Sequence, residues 1–322
     1  MARLRYQGRE LELAPGETVL EGLQRGGLRV PSSCRVGACQ TCLMQARSGS
    51  PGAAAQVGLR PTQKEEGWFL ACQSRPEQDL EIGERVVPTT AARIMEVDPL
   101  GPALVRVRLR SEEPMSFRPG QFVHLQRPDG LIRAYSLANL PGEDLEFHVR
   151  VHPQGHMSRW LAAALPGQDV RLRGPSGECF YTPDRPEAPI LLAGTGTGLA
   201  PLWAILRDAL GQGHRGPITL VHGARNAEGV YGVAELQALA ASFPQLRYIR
   251  CVLEGEAEPG LEVGDIAAVA PKLAGNLKGA RVYLCGDPER VQALKKRCFL
   301  AGAAMKDIFA DPFVVATPPV EI

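Results

Sequence analysis

The sequence predicts a multidomain chain: a small α+β unit, then an antiparallel β-barrel, then a doubly wound α/β sheet. Three observations carry this. In Val105-Arg106-Val107-Arg108-Leu109-Arg110, and again over residues 145–152, apolar and polar residues alternate at period two, as in strands with one buried face. Beyond residue 188 the pattern changes to short apolar runs alternating with longer helical stretches, which is how parallel βαβ units read. Before residue 89 short strands surround one capped helix and a group of four cysteines. A chain of 322 residues has room for all three parts, with boundaries expected at 1–88, 89–187 and 188–322.

In the first part, residues 4–6 and 11–13 read as a hairpin. Thr18 and Glu21 form a T-x-x-E capping box opening a helix that carries Val19, Leu20 and Leu23, and Gly26-Gly27 ends it. Cys34, Cys39 and Cys42 follow as C-x4-C-x2-C, and Cys72 comes after 29 further residues. That is the ligand spacing of a plant-type 2Fe–2S cluster held by four thiolates. The small residues Gly37 and Ala38 let the loop wrap closely and aim N–H groups at the sulfurs. Structural zinc draws on paired clusters, and neither the x4 gap nor the solitary Cys72 fits one. Trp68-Phe69-Leu70-Ala71 brings Cys72 in on an apolar, buried stretch, and residues 80–82 form a last strand, so one helix is expected across a small mixed sheet. Of the remaining cysteines, Cys179, Cys251 and Cys298 read as buried hydrophobes.

The second part is punctuated by Gly/Pro turns at 118–120, 128–130 and 141–142, with one helix over 157–165. His148 and His152 are expected on the polar face of a strand, solvated or at the edge of a bound ring rather than in a metal site. The third part reads as strands over 189–193, 218–222, 248–253 and 281–285, with helices over 199–210 and 233–243. Asp287 is the N-cap and Pro288 the first residue of a final helix ending near residue 302. Residues 183–189, rich in proline, are the linker-like stretch between the second and third parts. The strand-to-helix turn Gly194-Thr195-Gly196-Thr197-Gly198 lets a dinucleotide approach the backbone, although it lacks the third glycine of G-x-G-x-x-G and has Pro201 in the helix start.

Together, Arg133-Ala134-Tyr135-Ser136, Gly155-His156-Met157-Ser158, the glycine turn and Cys285-Gly286-Asp287-Pro288 resemble the R-x-Y-S, G-x-x-S, G-T-G-T-G-x-A-P and C-G-x-x elements of the ferredoxin–NADP reductase superfamily. The resemblance implies that Arg133 reaches a flavin pyrophosphate, Tyr135 packs on the isoalloxazine or ribityl chain, and Ser136 sits near the reactive N5. It implies that Gly155, Met157 and Ser158 form a second phosphate element and that His148 and Val149 border the flavin. Gly194, Thr195, Gly196, Thr197, Gly198, Gly286 and Asp287 would hold the nicotinamide dinucleotide, with Cys285 at the nicotinamide–flavin contact and Phe313 near the ring. Ser136 and Cys285 are thus the catalytic candidates. After the second strand of the third part comes Arg225 with no acid to grip a ribose 2′-hydroxyl; a lone arginine would suit a 2′-phosphate.

In the order of its three parts the chain resembles the reductase components of bacterial multicomponent oxygenases, such as those of benzoate dioxygenase, phenol hydroxylase and soluble methane monooxygenase. The resemblance implies a β-grasp ferredoxin domain, FAD rather than FMN, and NADH rather than NADPH. It implies an oxidoreductase that passes electrons from NADH through FAD to the cluster and on to an oxygenase or hydroxylase. The same order occurs in a reductase for deoxysugar dehydration. A non-catalytic redox module and a quinone reductase are the other readings. The balance of 36 basic against 35 acidic residues implies no nucleic-acid partner. With no apolar run of membrane-spanning length and no apolar leader, the expectation is a cytoplasmic monomer.

Overall fold

A computed structural model describes residues 2–28, 30, 32, 35–37, 42–59, 61–83 and 89–313. The chain divides at residue 86 into two compact units.

The first unit runs β1 (Arg3–Tyr6), β2 (Arg9–Glu12), α1 (Val19–Arg25), β3 (Leu43–Ser48), α2 (Pro61–Glu65), β4 (Trp68–Leu70) and β5 (Leu80–Ile82). Its mixed sheet has the order β2-β1-β5-β3-β4, with β1 and β5 parallel and the other pairs antiparallel. The capping box at the start of α1 is present: Glu21 N–H donates to Thr18 Oγ1 at 3.3 Å, and Thr18 N–H to Glu21 Oε2 at 2.9 Å. That satisfies two N–H groups which helix geometry leaves without partners. Leu20 and Leu23 then bury against Leu4, Phe69 and Leu80 of the sheet.

The second unit opens with β6 (Thr89–Gly101), β7 (Leu104–Ser111), β8 (Phe122–Gln126), β9 (Ile132–Ser136), β10 (Leu145–Arg150), α3 (His156–Ala162) and β11 (Asp169–Ser176). These strands form an antiparallel sheet in the order β10-β7-β6-β11-β8-β9. Its ends approach where Ala138 N–H donates to Glu146 O at 2.8 Å. The alternation in β7 sends Val107 and Leu109 into the core and the arginines outward. There Arg106 pairs with Asp98, Arg108 with Glu96 and Arg110 with Asp144, each at 2.7 Å.

The unit continues with β12 (Ile190–Thr195), α4 (Leu199–Gly211), β13 (Ile218–Ala224), α5 (Val233–Ser242), β14 (Leu246–Val252), β15 (Leu261–Val263), α6 (Ile266–Ala274), β16 (Arg281–Gly286), α7 (Pro288–Leu300) and β17 (Ile308–Pro312). All neighbours are parallel, in the order β15-β14-β13-β12-β16-β17. In β12, Ile190 and Leu192 pack with α4 and α5, while Leu191 and Ala193 pack with α6 and α7. A strand buried on both faces has to be apolar throughout, which is why β12 reads as an unbroken apolar run. Three elements, α6, β15 and β17, stand beyond those expected from the sequence, and the lone barrel helix stops at Ala162 rather than at residue 165.

Residues 183–189 are no loose linker. Arg281, 5 % exposed on β16, donates to Thr182 O and to the Asp184 carboxylate. Arg185 pairs with Asp307 at 2.5 Å, and Pro186 O accepts from Arg215 and Gly216 N–H. Barrel and parallel sheet are also clamped at Gly120, where a Cβ would lie 2.3 Å from Cys179 O and 2.6 Å from Ile205 of α4. They belong to one compact unit.

Candidate functional site

In a parallel sheet, ligands bind beyond the carboxyl ends of the strands, where the strand order reverses. Here the reversal lies between β12 and β16, and a cleft of about 780 Å³ opens there. It is lined by Thr195, Gly196, Thr197, Gly286, Asp287 and Phe313 of the expected set. The two loops that form its floor are in backbone contact. A Cβ on Gly198 would lie 2.3 Å from Cys285 O, and one on Gly286 (φ +116°) 2.6 Å from Thr195 O. Asp287 N–H donates to Thr195 Oγ1 at 3.0 Å, while the Asp287 carboxylate caps α7 by accepting from Arg290 N–H. Phe313 N–H donates to Gly286 O at 2.7 Å, holding the end of β17 over the same loop.

The cleft also holds a cation outside the expected set, Arg150. Arg150 continues the stripe of arginines but has no ion-pair partner among the described residues, and it lines the cleft. Its Nη1 lies 3.7 Å from where a Cβ on Gly196 would stand. An unpaired guanidinium over a glycine turn suits a pyrophosphate. Beneath the turn, His222 is fully buried and accepts no charge; burial pushes it down to about 4. A carbonyl can only accept, so the 3.2 Å contact with Gly196 O fixes the proton on Nε2.

His148 is not on a solvated face. It is buried, with Nε2 against Glu146 at 3.1 Å and Nδ1 against the Tyr231 hydroxyl at 2.9 Å, and Tyr231 lies edge-on to His222. The reason is tertiary: the polar face of β10 is covered by the parallel-sheet half of the unit. Val149 and Met157 point into the barrel core, which leaves only their main chains to meet a cofactor. Ser158 is buried, accepting from His152 N–H at 3.1 Å and donating to Gly155 O at 3.3 Å, so its hydroxyl holds the turn before α3. Arg133 donates to Ile132 O at 2.7 Å, and Tyr135 packs half-buried against the barrel core.

Ser136 Oγ donates to Asp311 Oδ2 at 3.2 Å. Asp311 pairs in register with Cys285 across β16 and β17. A barrel residue thus meets the parallel sheet at Asp311, beside Cys285 on the neighbouring strand. Burial pushes Asp311 up to about 6 against the pull of the Ser136 hydrogen bond. Burial also holds the Cys285 thiol well above its ordinary range, with Cys179 Sγ 3.7 Å away. Asp311 was not among the expected residues; the sequence holds no local signal for it, because its partner is 175 positions away.

In the first unit, Cys42 and Cys72 are both buried, brought side by side by the pairing of β3 with β4. Burial, with Cys72 beside it, raises the Cys42 thiol. Gln73 ties the approach together, its amide donating to Arg35 O at 3.1 Å and toward Cys72 Sγ at 3.6 Å. Gly37 and Arg35 both take positive φ, 82° and 55°, which bends this loop sharply. Cys34 and Cys39 lie outside the described residues. Two adjacent buried cysteines beside a tightly turned loop fit an iron–sulfur group.

Fold and site therefore define a flavin- and nicotinamide-dependent oxidoreductase with an iron–sulfur module. Residues 3–77 match the 2Fe–2S iron–sulfur cluster binding domain, residues 101–181 the oxidoreductase FAD-binding domain and residues 192–296 the oxidoreductase NAD-binding domain. The chain is 34% identical over 313 residues to the ferredoxin–NAD(P)(+) reductase component of the naphthalene 1,2-dioxygenase/salicylate 5-hydroxylase systems of Ralstonia sp., covering 94% of this chain and 95% of that one. It is 36% identical over 304 residues to the reductase subunit of an aromatic O-demethylase of Amycolatopsis sp., covering 89% and 90%. Among solved structures, the Amycolatopsis cytochrome P450 reductase GcoB superposes with a TM-score of 0.67 at 32% identity, over 97% of this chain and 99% of that one. The chain belongs to the family of ferredoxin-domain-first reductase components of oxygenase systems, and its cofactors are a 2Fe–2S cluster, FAD and NAD(P)H.

Proposed function

We propose that this protein takes electrons from NADH, passes them through FAD to the 2Fe–2S cluster, and delivers them singly to a partner oxygenase or hydroxylase. The observation that carries the reading is the hydrogen bond of Ser136, from the barrel motif, to Asp311, the strand neighbour of Cys285 in the parallel sheet, next to the Gly286 and Phe313 wall of the cleft. FAD would supply the conversion of a two-electron donor into single electrons. The chain's own residues bind and orient. Arg133 and the N–H groups opening α3 face the flavin phosphates, with Gly155, Met157 and Ser158 shaping that turn. Tyr135 covers the ring system, bordered by the main chain of His148 and Val149. The glycine turn and Arg150 take the nicotinamide pyrophosphate. Ser136 and Asp311 hold a proton beside the reacting centre. Cys285, kept as a neutral thiol, and Phe313 bound the nicotinamide pocket. Cys34, Cys39, Cys42 and Cys72 hold the cluster. The functional boundaries are 1–88, 89–187 and 188–322, and a reducing cytoplasm, with the chain working as a monomer, suits thiol ligands.

The test is a pair of spectra and a pair of acceptors. Purified protein should show flavin and iron–sulfur absorbance, and NADH should bleach both. In Cys39→Ser the cluster absorbance should vanish while NADH still bleaches the flavin. Two-electron dye reduction should survive, and cytochrome c reduction should fall at least tenfold. Equal loss of both activities with flavin retained would overturn the order of the relay.

A further inference from the structure

The adenosine end of the cleft carries a charge arrangement that bears on the choice of nucleotide. In a doubly wound sheet, the residue just past the second strand meets the adenosine ribose. Here that residue is Arg225, past β13, and it lines the cleft. It is not a free cation. Glu254, past β14, accepts from Arg225 Nε at 3.0 Å, and the two loops are joined by Glu254 N–H donating to Arg225 O at 2.9 Å. Glu228, three positions beyond Arg225 in the turn capped by Asn226, lines the same end. This end thus carries one guanidinium and two carboxylates, of which Glu254 is paired with the guanidinium. The cation further along the cleft, Arg290, is paired with Asp265 at 2.5 Å. Arg150, by contrast, is unpaired among the described residues and sits over the glycine turn, where the pyrophosphate shared by both nucleotides belongs.

We infer that Glu254 is a specificity-determining residue: by pairing with Arg225 it denies that guanidinium to a 2′-phosphate and makes the cleft select NADH. The inference rests on the proposed binding of a nicotinamide dinucleotide in this cleft. A 2′-phosphate brings about two negative charges to a place already negative. A ribose 2′-hydroxyl brings none and can donate to the second Glu254 oxygen. The sequence alone suggested the opposite weight for Arg225, because its partner is 29 residues away. Both side chains of the pair are largely exposed, so Glu254→Gln leaves the core untouched.

Calorimetric titration of the full-length protein with ADP and with 2′,5′-ADP reads the effect without turnover. The wild type should bind ADP more tightly. Glu254→Gln should gain at least tenfold in 2′,5′-ADP affinity relative to ADP, and Arg225→Ala added to it should abolish that gain. The kcat/KM ratio of NADPH to NADH in flavin reduction should move in the same order. A relative affinity unchanged within twofold in Glu254→Gln, or a gain that survives Arg225→Ala, would overturn the assignment of Glu254. If the wild type binds neither ADP nor NADH, the reading of the cleft itself fails, and the inference with it.

Discussion

At the scale of single residues, Asp311, hydrogen-bonded to Ser136, is a carboxyl whose protonation burial moves into a measurable range. Burial lifts its carboxyl from 3.8 to about 6. The folded protein therefore holds a proton between pH 4 and 6 that the unfolded chain has already released. Stability from this group is full below about pH 4, falls as pH rises through that window, and is flat above it. A shift of two units corresponds to about 3 kcal/mol, reduced to about 2 kcal/mol once water at the exposed edge of the side chain is allowed for. Asp311→Asn should match the wild type in thermal unfolding at pH 4 and be the more stable protein at pH 7.5. A gap that stays constant across that range would show that Asp311 is ionised throughout. In NADH oxidation the same variant should lose an inflection near pH 6, measured as kcat/KM against pH.

At the scale of elements, the floor of the cleft is set by backbone contact rather than by side chains. The Gly198 Cβ position collides with the carbonyl of Cys285, an atom that cannot swing aside. Gly198→Ala must push the glycine turn and the β16 loop apart, at a cost of about 2–3 kcal/mol. KM for NADH should rise at least tenfold while FAD content is kept; an unchanged KM would mean that the turn does not hold the nucleotide. Elements governed by local rules were legible in the sequence. The Thr18–Glu21 box, the Asp287 cap with Pro288 behind it, the alternation of β7 and the apolar run of β12 all stand where local chemistry puts them. What was hidden depends on partners distant in sequence. β17 looks like a tail until its register with β16 is known. His148 looks solvent-facing by period two, until Tyr231 covers it. Arg150 looks like one more member of a surface stripe, and only the absence of a paired carboxylate among the described residues sets it apart. Residues 183–189 read as a linker by composition, and the buried Arg281 turns them into a strap.

At the scale of the whole molecule, the three domains form two compact units, the barrel and the parallel sheet sharing the second. The barrel and the parallel sheet share Ser136–Asp311, His148–Tyr231, the Gly120 contact and an exposed-edge pair, Arg207–Glu143 at 2.6 Å. Most of these are buried, and a buried hydrogen bond broken by separating its partners costs about 1–3 kcal/mol on each side left unsatisfied. The two halves should therefore unfold together, while the cysteine-bearing unit has its own core around Leu4, Leu23 and Phe69. A fragment of residues 89–322 is expected to fold, to retain FAD and to be bleached by NADH. It should reduce a two-electron dye at a rate within threefold of the full chain and cytochrome c at less than a tenth of it. A fragment of 188–322 alone should expose the apolar and polar surface that the barrel covers and unfold about 7–11 °C below the longer fragment, since a loss of about 2–3 kcal/mol lowers the midpoint of a domain this size by that much. Independent melting of the barrel and the parallel sheet within the 89–322 fragment, seen as two calorimetric transitions, would show that these two domains are not energetically coupled and leave the meeting of Ser136 with Asp311 without energetic weight.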